Sequence, residues 1–272
     1  MMKTVLSNLI GFVDEMSLFH VFINNLGVRA AANKFLAAFP LIRTLKETGI
    51  QYRITSLDAF IVEKEIFTDG IYEAVFQDNC QSFLDLGSNN GFFTAWILNH
   101  SRNRQMRGIM VDANKAVLKE CQWFIGHNSL ANIHAAFGAI AQPGLSEVDF
   151  SVCSSSIVSA IGSDVKPRSG QELRFHMERV PTVDLESIWI EKFGDIRCGI
   201  LKADIEGAEA WLPQGQSRFL QRTDRVIVAW HTFNKTSESD FVIAMQELGF
   251  RTSPMLERPT GAQEKVYLFT RS

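Results

Sequence analysis

The chain predicts an α/β fold: a seven-stranded, mostly parallel sheet with helices on both faces, an antiparallel C-terminal strand and an N-terminal helical cap. Three observations carry this. From about residue 80, apolar runs of strand length alternate with helix-length segments, the mark of a parallel sheet covered on both sides. The segment Phe83-Leu84-Asp85-Leu86-Gly87-Ser88-Asn89-Asn90-Gly91-Phe92 passes from a buried-strand pattern through a glycine turn into a helix start. Such a turn lets a ligand come close to the backbone. Polar residues also close the apolar runs: Asp85, Asp112, Asp204 with Glu206, and His231. A parallel sheet lines these up on one rim, where open α/β sheets bind ligands.

Residues 1 to about 50 have helical spacing, with Leu6, Ile10, Phe19, Ile23, Leu26, Ala30 and Leu36 apolar and Pro40 as an interruption. Short strands are expected within Tyr52–Val62, before Glu63–Phe76. Residues 1–78 read as a cap that covers a ligand and shapes a second site, or equally as a helical layer completing the core; 79–272 form the main domain. Its strands are Phe83–Leu86, Arg107–Val111 and Ile133–Ala139, with helices at about Phe92–His100 and Asn114–Ser129 between them. The stretch 144–171 breaks the alternation. Glu147–Val152 reads as an extra strand, and 154–170 as a polar loop suited to act as a lid. A strand pattern resumes over Leu173–Val180, and a helix follows over Val183–Phe193. Gly199–Ala203 is the fourth central strand, with a helix over about Gly207–Leu220. Arg225–Trp230 is the fifth, with a helix over Ser237–Leu248. Phe250–Ser253 and Lys265–Thr270 pair as a terminal hairpin. These are the strands of a Rossmann-like sheet.

Composition narrows the function classes. A chain of 272 residues, 46% hydrophobic and 21% charged, has the make-up of a globular protein. Its net charge of -3 and lack of a basic block argue against a nucleic-acid partner. A small molecule or neutral glycan fits better. Cys80, Cys121, Cys153 and Cys198 are scattered with no C-x-x-C, as expected of reduced thiols in a cytoplasmic protein. No membrane span is expected, and Asp14 and Glu15 interrupt the only leader-like stretch.

The acid before the glycine turn points to the ligand. Asp85 would repel a pyrophosphate but suits an ammonium, such as that of the methionine half of S-adenosylmethionine. Gly87 and Gly91 form G-x-x-x-G, not the G-x-G-x-x-G of dinucleotide folds. Asn89 and Asn90 can offer amides to the cofactor's amino-acid end, or simply stabilise the turn. Asp112, closing the second strand, can accept both ribose hydroxyls, though an acid there also favours a helix N-terminus. In Lys202-Ala203-Asp204-Ile205-Glu206-Gly207-Ala208-Glu209, the carboxylates of Asp204, Glu206 and Glu209 can hold Mg²⁺. Alternatively, they cap the next helix, with Glu209 paired to Lys202. His231, expected beside Asp204, is a candidate general base. His127 reads as structural. Trp230 and Phe233 either line an acceptor pocket or belong to the core.

Together these residues resemble the FkbM family of S-adenosylmethionine-dependent class I methyltransferases. The turn Asp85–Gly91 is shared with many methyltransferases. The stretch Leu201–Glu209 is similar to the family's K-x-D-x-E-G-x-E signature and is more specific. Val180-Pro181-Thr182-Val183-Asp184 resembles its V-x-T-x-D segment, and Asp112-Ala113-Asn114 its E-P-N segment. The resemblance covers roughly residues 50–272. It departs at Ala229, where many members carry Glu two residues before the strand-end histidine, and at Ala203, where a β-branched residue is common. It implies O-methylation of a sugar, glycan or natural-product hydroxyl. It also implies cofactor roles for Asp85, Gly87, Asn89, Gly91 and Asp112, and acceptor-side or metal roles for Asp204, Glu206, Glu209 and His231. Two other readings compete: a degenerate fold of this kind serving as a binding module, and a nicotinamide-dependent oxidoreductase, which the missing third glycine opposes.

Overall fold

The computed structural model describes residues 26–76, 80–153, 160–161, 175–231, 236–256 and 264–271. Most of the expected lid loop, and Phe233, lie outside these residues. In the N-terminal part, α1 (Leu26–Ala38) ends before Pro40 and leads into a hairpin of β1 (Leu41–Thr44) and β2 (Gln51–Ile54). The first strand of that hairpin lies where helical spacing was expected to continue. The next helix, α2 (Leu57–Phe67), occupies residues where short strands were expected. The reason is local: the hydroxyl of Ser56 accepts from Ala59 N at 3.0 Å, an N-cap that fixes the start.

The main sheet is built from β3 (Ser82–Leu86), β4 (Arg107–Asp112), β5 (Ile133–Phe137), β9 (Cys198–Ala203), β10 (Thr223–His231), β11 (Phe250–Leu256) and β12 (Glu264–Arg271). Their order is β11-β12-β10-β9-β3-β4-β5. β5, β4, β3, β9 and β10 pair in parallel, and β12 runs antiparallel between β10 and β11. The terminal hairpin therefore inserts its second strand into the sheet. The helices α3 (Phe92–His100), α4 (Lys115–His127), α5 (Leu185–Phe193) and α8 (Glu238–Glu247) fall where the spacing predicts. Asn114, Asp184 and Ser237 cap three of them with side-chain oxygens.

The helix expected over Gly207–Leu220 is instead two short ones, α6 (Trp211–Gly215) and α7 (Ser217–Gln221). Glu206 and Gly207 are left-handed, with φ of 52° and 93°, so helix cannot begin there. Gln216 then turns inward between the two. Its amide oxygen accepts from Leu185 N and its amide nitrogen donates to Val183 O, which ties this segment to the start of α5.

The extra strand is also present. β6 (Glu147–Cys153) forms a separate antiparallel sheet with β7 (Ala160–Ile161) and β8 (Phe175–Pro181). A parallel bridge from Ala139 to Thr182 joins it to the end of β5.

Strand alternation sorts the core. Leu84, Leu86, Ile109, Val111, Leu201 and Val228 pack with Trp189, Phe219 and Phe241 on one face. Phe83, Met110, Ile200 and Ile227 pack with Phe92 and Trp96 on the other. Leu36, Ile50, Tyr52, Ile54 and Phe60 of the N-terminal part share that second cluster. Arg225 donates to Val75 O across the junction. Cys80, Cys121 and Cys198 are buried thiols, and burial pushes all three above the usual thiol range. No helix among the described residues is long and apolar enough to cross a membrane.

Candidate functional site

Parallel pairing brings the predicted residues to one rim. β3 lies between β4 and β9, so the glycine turn after β3 stands between Asp112 on one side and Asp204 on the other. Gly87 N donates to Val111 O, and Asp204 N donates to Leu86 O. Gly87 has φ 70°, and a Cβ there would overlap the carbonyl oxygen of Asp204. Only glycine satisfies both constraints. Gly87→Ala is expected to destabilise the protein by at least about 2–3 kcal/mol, from left-handed strain plus overpacking. Thermal unfolding checks this, and a melting temperature equal to wild type would refute the tight backbone approach.

Asp85 is held inside the protein. Its carboxylate is wholly buried, accepts from the Thr94 hydroxyl at 2.9 Å, and lies 3.4 Å from the Lys202 ammonium, which neighbours it across β3 and β9. The ammonium that Asp85 meets is thus the chain's own. Lys202 also donates to Leu86 O at 3.1 Å and Gly87 O at 2.7 Å, pinning the first half of the turn from below. Burial raises the Asp85 carboxyl above its usual range, with Lys202 and Thr94 pulling it back. For Lys202, burial favours the neutral amine, but the Asp85 and Asp204 carboxylates outweigh it and hold the ammonium above its usual range. A Lys202–Glu209 pair was one of the two expectations for these acids; the side-by-side register of β3 and β9 gives Lys202 to Asp85 instead. Thr94 was not anticipated, although a lone hydroxyl in Phe92-Phe93-Thr94-Ala95-Trp96 was the available signal.

The two asparagines divide. Asn89, at φ 47°, gives its backbone N–H to Asp112 Oδ2 at 3.1 Å, and its side-chain oxygen is buried without a hydrogen-bond partner. Asn90 points away, donating to the Thr55 hydroxyl at 2.8 Å and so fastening the turn to the end of β2. Its amide is spent on the N-terminal part. Gly91, at φ 78°, stands as N-cap of α3. Asp112 is half-buried; its other oxygen accepts from Asn114 N at 2.9 Å. Burial pushes its carboxyl up to about 6, against the lowering effect of the Asn114 and Asn89 N–H groups.

On the other side of the turn, His231 is 1% exposed at the end of β10. Its Nδ1 lies 2.9 Å from Glu209 Oε1, and a carboxylate can only accept there, so Nδ1 carries the hydrogen. Nε2 then faces Glu206 Oε2 at 3.5 Å and Asp204 Oδ1 at 3.7 Å. Glu209 is fully buried and also accepts from Ile205 N and Gly207 N, both at 3.0 Å. This corrects the expected acidic trio: the side chains converging on one point are Asp204, Glu206 and His231, while Glu209 stands behind the imidazole. The left-handed turn at Glu206 and Gly207 makes the difference, because it carries Glu206 outward and folds Glu209 back beneath the loop.

Trp230 is core, packed on Phe241 at 4.7 Å between ring centroids. His127 stacks on Trp123 and bonds Gln51, a structural role as expected. Asp184 caps α5 through Ser187 N, and Thr182 donates to Leu145 O.

A family model described as the methyltransferase FkbM domain matches residues 85–252. The structure is similar to that of a methyltransferase FkbM from Methylobacillus flagellatus KT, at 11% identity and a TM-score of 0.51 over 76% of this chain and 47% of that one. The chain thus spans about half the length of that relative. The fibrillarin pre-rRNA processing protein of Methanococcus jannaschii aligns at 8% identity and a TM-score of 0.48, over 86% of this chain and 84% of that one. No curated protein sequence matches the chain.

Proposed function

The chain belongs to the FkbM methyltransferase domain family, and from that premise we propose that it moves the methyl group of S-adenosylmethionine to a hydroxyl of a sugar, glycan or natural-product acceptor. One observation carries the reading: the glycine turn beside Asp112 and the Asp204–Glu206–His231 cluster meet backbone to backbone at Gly87. A cofactor on the turn and an acceptor at the cluster would therefore be neighbours. The residues present fit the cofactor: Asn89 holds a buried acceptor oxygen in need of a donor, and Asp112 stands at the strand end. Residues 1–78 serve as a cap in this reading, fastened to the turn through Asn90 and Thr55, and 79–272 as the transferase domain.

S-adenosylmethionine supplies an electrophilic methyl on a sulfonium that leaves as a neutral thioether. Asp112 would accept hydrogen bonds from the ribose hydroxyls, and the Asn89 oxygen would accept from the ammonium. Lys202 and Asp85 hold the turn in shape beneath it. Asp204 positions the acceptor hydroxyl. His231 Nε2 takes the proton as the oxygen–carbon bond forms, and Glu209 stabilises the resulting imidazolium. The carboxylates and imidazole suit an oxygen nucleophile, whose proton must be removed.

The test is calorimetric titration with S-adenosylmethionine on wild type and Asp112→Ala, followed by an acceptor screen. Binding is expected, weakened about 10- to 100-fold in the variant, the worth of hydrogen bonds to a charged group. No binding to wild type would overturn the reading. Binding with no methyl transfer to any hydroxyl acceptor would favour the binding-module alternative.

The same titration has a predicted pH dependence. The Asp112 carboxyl sits at about 6, and the ribose contacts need its carboxylate. Affinity is therefore flat above pH 7 and falls by about tenfold per unit below 6, as protons compete for the group. Asp112→Asn removes the slope; a wild-type profile flat to pH 5 would rule Asp112 out as the ribose acceptor.

A further inference from the structure

We propose that Asp204, Glu206 and His231 form a binding site for one divalent transition-metal ion, of the Zn²⁺ or Co²⁺ class, in preference to Mg²⁺. Their ligand atoms all lie within 4.8 Å of one another. Nitrogen and oxygen ligands at ordinary zinc distances, set tetrahedrally, stand about 3.4 Å apart. The imidazole Nε2 is 3.5 Å from Glu206 Oε2 and 3.7 Å from Asp204 Oδ1, close to that spacing and longer than a normal N–H···O bond.

The imidazole is prepared as a ligand. It is 1% exposed, Glu209 behind it fixes the hydrogen on Nδ1, and Nε2 faces the two carboxylates. A buried carboxylate on the far nitrogen is the arrangement that orients metal-bound histidines and raises their basicity. Glu209 is itself anchored to Ile205 N and Gly207 N, in the loop that carries the other two ligands. Support and ligands therefore form one rigid unit. The Asp204 and Glu206 side chains are 28% and 24% exposed, so an ion can enter from solvent. Three protein ligands leave open positions for a water or an acceptor oxygen.

Imidazole sets the choice of ion. Mg²⁺ prefers an all-oxygen octahedron and keeps its waters, whereas imidazole suits zinc, cobalt and the later transition metals. Asp204, Glu206 and Glu209, the set expected from sequence, would have suited Mg²⁺. Replacing Glu209 by His231 changes the class. With the ion on Nε2, the imidazole holds the cation in place of taking the proton, and the cation acidifies the acceptor hydroxyl, whose proton passes to solvent; the inference rests on the reading above only for that use, and not for the ion's binding.

The experiment takes the full chain, strips it with chelator, and titrates Co²⁺, Zn²⁺, Mn²⁺ and Mg²⁺ by calorimetry, with Co²⁺ absorbance and metal analysis for stoichiometry. One equivalent of Co²⁺ or Zn²⁺ is expected, with Mg²⁺ at least about 100-fold weaker. Glu206→Gln and Asp204→Asn, both at partly exposed positions, should each weaken Co²⁺ at least tenfold with an unchanged melting temperature. Glu209→Gln should weaken it about 10- to 100-fold through His231. Absence of a stoichiometric site, unaltered affinity in Glu206→Gln, or Mg²⁺ bound as well as Co²⁺ would overturn the proposal. S-adenosylmethionine is titrated into the same samples. Cofactor binding without any cation site defeats this inference alone, and a cation site without cofactor binding defeats only the transferase reading.

Discussion

Lys202→Met is expected to destabilise the fold by about 3–5 kcal/mol at neutral pH, the cost of leaving a buried charge without its partner. Lys202 is 5% exposed and Asp85 not at all. Removing the ammonium leaves Thr94 as the described hydrogen-bond partner of that carboxylate. It also releases Leu86 O and Gly87 O. The loss has a distinctive pH dependence. Burial already raises the Asp85 carboxyl, and losing Lys202, which pulls it down, raises it further in the folded variant. A raised carboxyl favours the fold below its unfolded value and loses that contribution as pH rises through the folded one. The gap between variant and wild type is therefore widest at neutral pH and narrows as pH falls to about 4, the ordinary carboxylate value. Asp85→Asn combined with Lys202→Met should recover most of the loss. Denaturant unfolding across pH measures all three, and a pH-independent gap would mean that the pair is not the cause.

His231→Ala is expected to lower kcat by about 10²–10⁴-fold, the range for loss of a positioned proton acceptor, while S-adenosylmethionine affinity stays within about twofold of wild type. The prediction follows from placement: His231 lies on the β10 side of the rim, and Asp112 on β4, with β9 and β3 between them. Glu209→Gln should reproduce part of the loss, because the amide still meets Nδ1 but no longer stabilises a charged imidazole. Single-turnover rates and cofactor titrations separate the two effects. Loss of cofactor affinity in His231→Ala would move His231 out of the proton-accepting role.

The alternation of apolar runs with helix-length segments was enough to predict the sheet, since a strand buried on both faces has to be apolar along its length. Helix starts were legible where a capping side chain preceded an apolar run, as at Asn114, Asp184 and Ser237. Ser56 carried the same signal and was passed over, so α2 lies where short strands were expected. The break between α6 and α7 was less legible. It depends on Glu206 and Gly207 turning left-handed and on Gln216 reaching to Val183 and Leu185, a contact between segments about thirty residues apart.

At the site, the sequence by itself determined which residues share the rim, because a polar residue after an apolar parallel strand can lie nowhere else. Asp112, Asp204 and His231 follow from that rule alone. The tertiary structure decided what each one touches. Strand order set β9 beside β3, which paired Lys202 with Asp85. The approach of β2 to the turn claimed Asn90 for Thr55. The left-handed turn at Glu206 put Glu209 behind His231 and His231 among the converging side chains. Periodicity and local spacing report which side of a strand or helix a residue occupies. Partners come from neighbours distant in the chain, and only the register between strands and the path of the backbone bring those together.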